Sequence, residues 1–129
     1  MNLKKALLSF AIIGLFGINA NANDLGQNSI VGKIVGYSYG DSAYEVDFKS
    51  EKVLHWKGTK GEEKGLENDE NYEVQKIDKN TFFVSWIEEG GTIANIVLNL
   101  SNKQVYAFLQ INKEIIPLKG TITSIKNSK

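Results

Sequence analysis

Among its 129 residues the chain has no cysteine and no arginine, one proline (Pro117) and one histidine (His55). Each absence excludes something. Without cysteine no disulfide braces the fold and no lipobox thiol carries a lipid, so a hydrophobic core must hold the domain unaided. Without arginine no side chain offers the planar two-point fork that grips carboxylates and phosphates. A lone histidine without cysteine is a poor ligand set for a metal, and the acidic runs lack the ligand rhythm of a calcium loop. Neither a metal nor a cofactor is expected. There is also no nucleophile elbow, and no stretch with helical apolar spacing that a phosphate loop could open.

What is present begins with a three-part N-terminus. Lys4 and Lys5 precede the uncharged run Ala6–Ile18, and Ala20-Asn21-Ala22 follows with small residues at the spacing a signal peptidase accepts. The run has 13 residues, against about 20 for a spanning helix. It reads as a cleaved secretory signal over residues 1–22, cut after Ala22, which sends the protein to the periplasm or outside the cell with no stable membrane insertion. Removal of the first 22 of 129 residues leaves 107, enough for one domain. That part carries 13 lysines against 15 acidic residues, a net charge of −2. No basic patch exists, so nucleic acid is not an expected partner.

After a polar leader at 23–29, short β-rich segments alternate with turn signals every ten residues or so. Strands are expected at Ile30–Tyr39, Ala43–Phe48, Lys52–Gly58, Glu70–Ile77, Thr81–Glu88, Thr92–Leu100, Gln104–Ile111 and Glu114–Ser124. The polar stretch Thr59–Asp69 reads as the longest loop, with Glu62-Glu63 and Asp69-Glu70 as solvated charges. Pro117 suits a strand edge. Residues 126–129 form a polar tail. Eight strands with short turns predict an all-β, up-and-down antiparallel barrel over 30–125, which leaves no open sheet edge. A two-sheet sandwich shares the same pattern.

One hairpin, Thr81–Leu100, carries an unusual order. Strand side chains alternate, so Phe82, Val84, Trp86 and Glu88 share a face. A carboxylate that continues an apolar face is costly unless paired, solvated or used. Tyr37 and Tyr39 likewise share a face on the first strand and present two phenol donors. His55 stands between Leu54 and Trp56 and points the opposite way, toward solvent or the rim.

Gly32-Lys33, Tyr37-Ser38-Tyr39, Tyr44-Glu45, Phe48, Trp56, Tyr72, Phe83, Ser85-Trp86-Ile87-Glu88, Gly91-Thr92 and Asn99, in that order, resemble the MoaF-like family. The resemblance spans about Ile30–Ser124. It implies a calycin- or lipocalin-like barrel shared with bacterial phenolic acid decarboxylases. In those enzymes the matching tyrosines engage the substrate carboxylate, and the matching glutamate handles a proton at the phenol end. The arginine they also use falls at Leu66, and their C-terminal extension has no counterpart.

The resemblance and the residues together imply an exported binding module for a small, partly apolar ligand, with an aromatic acid as one candidate. Tyr37, Tyr39 and Glu88 would supply polar contacts, and Trp56, Phe82, Val84 and Trp86 the apolar wall. Two alternatives remain at this level. One is a decarboxylase- or lyase-type enzyme using Tyr37, Tyr39 and Glu88, disfavoured by Leu66. The other is a filled barrel that meets a protein partner through the acidic loop Glu62–Glu70.

Overall fold

Among the described residues eight strands follow one another without a helix: β1 (Lys33–Ser38), β2 (Ala43–Phe48), β3 (Val53–Lys60), β4 (Glu67–Asp78), β5 (Thr81–Ile87), β6 (Ile93–Asn99), β7 (Gln104–Ile111) and β8 (Glu114–Asn127). Each pairs antiparallel with its neighbour and β8 pairs with β1, so the sheet closes into an up-and-down barrel rather than a sandwich. This is a computed structural model describing residues 30–128. The signal and leader expected at 1–22 and 23–29 lie outside the described residues.

Period-2 alternation sets the inside. Val35, Val46 and Trp56 sit side by side across β1–β3, and Val84, Ile96 and Ala107 across β5–β7. All six are buried. Because every odd-to-even connection is a hairpin, the turns β1–β2, β3–β4, β5–β6 and β7–β8 gather at one end of the barrel. The other end is filled. Ile30 is buried there ahead of β1, the Phe48 and Tyr72 rings meet edge to face with their centroids 5.4 Å apart, and the Tyr72 hydroxyl donates to the Ser50 carbonyl at 2.7 Å.

Two glycines allow close approaches that any side chain would block. A Cβ on Gly120 would stand 2.0 Å from the Ser38 carbonyl oxygen, at the seam where β8 meets β1. A Cβ on Gly58 would stand 2.1 Å from the Glu63 carbonyl oxygen, so its absence lets the β3–β4 turn fold down onto β3. The seam also shifts register between Gly36 and Tyr37, a bulge of the kind that bends closing strands.

Some boundaries differ from expectation. β4 begins at Glu67, so the long loop shrinks to residues 61–66. Asn68 and Glu70 pair with Trp56 and Leu54 of β3, and this pairing overrides their low strand propensity. β8 continues through Lys126 and Asn127, which pair with Ile34 and Lys33, past the expected start of the polar tail. Pro117 lies opposite Phe108 of β7, in the half of β8 that extends beyond its pairing with β1. It is therefore a local edge within a closed barrel.

The outside is uneven. Phe83, Ile87, Tyr106, Phe108 and Ile115 are exposed on β5–β8. The outer face of β2–β4 is charged instead. There His55 points outward, with Nδ1 2.6 Å from Asp69 Oδ1 and Nε2 2.8 Å from Glu67 Oε1. Hydrogen bonds to both carboxylates raise the His55 pKa and lower those of Glu67 and Asp69, because they favour the imidazolium, which donates from both nitrogens.

Candidate functional site

The hairpin-rich end carries a cavity of about 70 Å³ inside the barrel. Tyr37 and Tyr39 come to it from the end of β1, Tyr44 from the start of β2, Trp56 from β3, Glu63 from the β3–β4 turn, and Trp86 and Glu88 from the end of β5. Ala94, Ile96, Leu109 and Ile111 complete an apolar floor and side. Among the residues expected to form a site, Tyr37, Tyr39, Trp56, Trp86 and Glu88 are thus brought together. Phe82 and Val84 are not. Both are buried but do not line the cavity. Strands rise about 3.3 Å per residue, so Phe82 lies roughly 20 Å down β5 from Glu88, in the filled half of the barrel.

The tyrosines form one aromatic group. The rings of Tyr37 and Tyr39 stand 5.5 Å apart, those of Tyr37 and Tyr44 6.0 Å, and Tyr44 meets Trp56 at 6.4 Å. Edge and tilted contacts of this kind are the favourable arrangement for aromatic pairs. Burial pushes all three phenols above their ordinary pKa, most strongly that of Tyr37. They stay protonated at neutral pH. The Tyr44 hydroxyl donates to Glu63 Oε1 at 2.7 Å. The Tyr39 hydroxyl oxygen is buried and forms no hydrogen bond of good geometry, with the Tyr37 hydroxyl as its polar neighbour, an arrangement that costs free energy in an isolated protein.

Glu88 is half-buried at the rim. Its Oε2 accepts the Trp86 indole N–H at 3.2 Å. Burial raises its pKa, and the carboxylates of Glu63 and Glu70 add to the rise, against the lowering effect of the indole. Glu70 was expected to be a solvated loop charge. It instead shares the inner face of β4 with Tyr72, and it accepts from Trp56 Nε1 at 3.2 Å and Asn68 Nδ2 at 3.1 Å. Glu63 departs from the same expectation. The Glu70-x-Tyr72-x-Val74 alternation did contain the signal for Glu70, since it puts a carboxylate in line with apolar side chains, as at Glu88. Nothing local marks Glu63, whose position depends on the turn folding over Gly58. Leu66, at the end of that turn, is 54% exposed and does not reach the cavity.

Two tyrosine-to-phenylalanine changes should separate a structural hydroxyl from one held in reserve. Tyr72→Phe strands the Ser50 carbonyl and is expected to cost about 1–3 kcal/mol. Tyr39→Phe removes an unpaired buried hydroxyl, so stability should hold or rise by up to about 1 kcal/mol. Urea unfolding midpoints of the two variants check this, and equal losses would show that Tyr39 is paired after all.

A closed eight-stranded up-and-down barrel with an aromatic, carboxylate-rimmed mouth is a calycin-like architecture. A sequence profile of the MoaF-like family matches residues 31–123, and the chain belongs to that family. The fold is similar to that of a crystallised Burkholderia vietnamiensis protein provisionally described as a beta-lactamase. The TM-score is 0.69 at 14% identity, over 73% of this chain and 93% of that one. At that identity the likeness extends to the fold alone. No curated protein matches the chain.

Proposed function

We propose that this MoaF-like barrel is an exported, non-catalytic binding module that takes a small, partly apolar molecule into its mouth. The observation that carries the reading is the convergence of Tyr37, Tyr39 and Glu88 on one cavity, where the Tyr39 hydroxyl lacks a well-formed hydrogen bond. A ligand atom that meets this hydroxyl would remove the cost of leaving it unpaired. The apolar contacts would come from Trp56, Trp86 and the floor residues. Export rests on the N-terminal pattern, with cleavage after Ala22.

A thermal-shift screen of the chain from Asn23 onward, against small aromatic and aliphatic compounds, tests the binding reading. A ligand selective for the folded state stabilises it by about 2.7 kcal/mol at a hundredfold excess over its Kd. At least one compound should raise the midpoint of the wild type and shift it less in Tyr39→Phe. A flat response across the screen would count against a binding function.

Catalysis has one observation in its favour, a half-buried carboxylate, Glu88, with a raised pKa beside a pair of phenols, groups that can transfer protons. The decarboxylases that the sequence resembles also use an arginine, and the matching position here is the exposed Leu66. Incubation with hydroxycinnamic acids is expected to release no carbon dioxide.

A further inference from the structure

We propose that the ligand of this mouth is a cation, an ammonium group carried on an apolar body, rather than an acid. The inference rests on the binding reading above and specifies its chemistry.

Three observations support it. The first is the charge of the wall. Glu63 and Glu88 line the cavity, Glu70 lies close behind, and no lysine lines it, although lysine is the most frequent charged residue of the chain. Among the described residues none of these three carboxylates is in an ion pair. Half-buried like charges repel more strongly than they would in water, and a bound cation would relieve that repulsion. A bound carboxylate would add to it.

The second is the nature of the remaining wall. Tyr37, Tyr39, Tyr44, Trp56 and Trp86 present aromatic rings around the cavity. Ring faces carry negative potential and attract ammonium groups, most strongly where water is excluded. The phenols stay protonated, and a phenol oxygen accepts as well as donates. The Tyr39 oxygen, which lacks a well-formed hydrogen bond, is therefore a ready acceptor for an ammonium N–H. Glu88 has a second oxygen beside the one that takes the Trp86 indole, and it would supply a charged acceptor.

The third is size. About 70 Å³ of space accommodates a head group of a few heavy atoms, since about 10–15 Å³ already holds one water. The head group would sit between the rings and the carboxylates while its apolar body lies toward the opening.

Three probes of similar shape and different charge test this: 2-phenylethylamine, 2-phenylethanol and phenylacetate. The protein has two tryptophans and both line the cavity, so intrinsic fluorescence reads the site directly, with calorimetry as a second measure. The amine is expected to bind at least about tenfold more tightly than the other two, as the charge-assisted contact implies, and to weaken as salt is added. Glu88→Gln should lower its affinity about tenfold or more, while Glu89→Gln, an exposed neighbour, should change it little. Circular dichroism confirms that both variants are folded. If phenylacetate or phenylethanol binds as well as the amine, the cation proposal fails and the binding reading stands. If the amine binds equally to wild type and Glu88→Gln, the proposed site is wrong. If none of the three probes binds, with choline also inactive, both the cation proposal and the binding reading fail.

Discussion

Gly120→Ala is expected to destabilise the barrel by about 3 kcal/mol or more, at the upper end of what overpacking costs. The added methyl would stand 2.0 Å from the Ser38 carbonyl oxygen and 2.9 Å from its carbon, both backbone atoms, with Tyr39 Cδ1 at 3.0 Å. Backbone cannot swing aside as a flexible side chain does. Relief requires β1 and β8 to separate at the point where the sheet closes, next to the pairs Ser38–Thr121 and Tyr37–Ile122. The same movement displaces Tyr39, so site and seam should fail together. Amide hydrogen exchange is the most direct measurement, and protection should fall first along β1 and the second half of β8. Gly90→Ala serves as control, since nothing lies within 4 Å of its added Cβ. It should change stability by no more than about 0.5 kcal/mol. Equal effects at the two positions would show that the seam tolerates a side chain.

Trp86→Ala and Phe82→Ala should each cost about 3–5 kcal/mol, the usual range for removing a buried aromatic side chain. Both residues are nearly inaccessible, at 6% and 2% exposure, and both belong to the inward face of β5. Their effects on ligand should differ. Trp86 forms part of the cavity and donates its indole N–H to Glu88. Its removal takes away a wall and releases the carboxylate. Phe82 lies in the filled end, beside Leu98 across the β5–β6 ladder, and its loss should leave the mouth intact. Chemical denaturation gives the two stabilities, and titration with whichever compound binds the wild type gives the two affinities. Loss of affinity in Phe82→Ala at a temperature where the variant is fully folded would mean that the cavity reaches further down than the structure places it.

That contrast also marks where the sequence pattern stops being informative. Alternation on β5 correctly puts Phe82, Val84, Trp86 and Glu88 on one face, because successive strand side chains point to opposite sides. It carries no information on depth. In a closed barrel one inward face runs from rim to rim, and the residues above and below the filled layers are told apart only by what the other seven strands contribute at each level. Here the bulky Phe48, Tyr72 and Leu98 fill one end with Ile30, and the cavity is left at the other.

Much of the molecule is legible without coordinates. Eight short segments with period-2 patterning and turn residues between them predict the up-and-down barrel. The β2 and β7 boundaries, Ala43–Phe48 and Gln104–Ile111, coincide with the expected ones. The shared face of Tyr37 and Tyr39, and the continuation of an apolar face into Glu88, also follow from alternation alone. The tertiary structure decides that Glu63 lines the cavity and that Glu70 lies close behind it. Glu70 does so because strand pairing with β3 draws polar residues into an extended β4, and Glu63 because Gly58 lets a turn lie flat on a strand. Both causes are contacts between segments distant in the chain; the Glu70-x-Tyr72-x-Val74 alternation hints at the first, and nothing in the local pattern marks the second. They change an expected pair of hydroxyls and one carboxylate into an aromatic mouth lined by two carboxylates with a third close behind, and with that the proposed charge of its ligand.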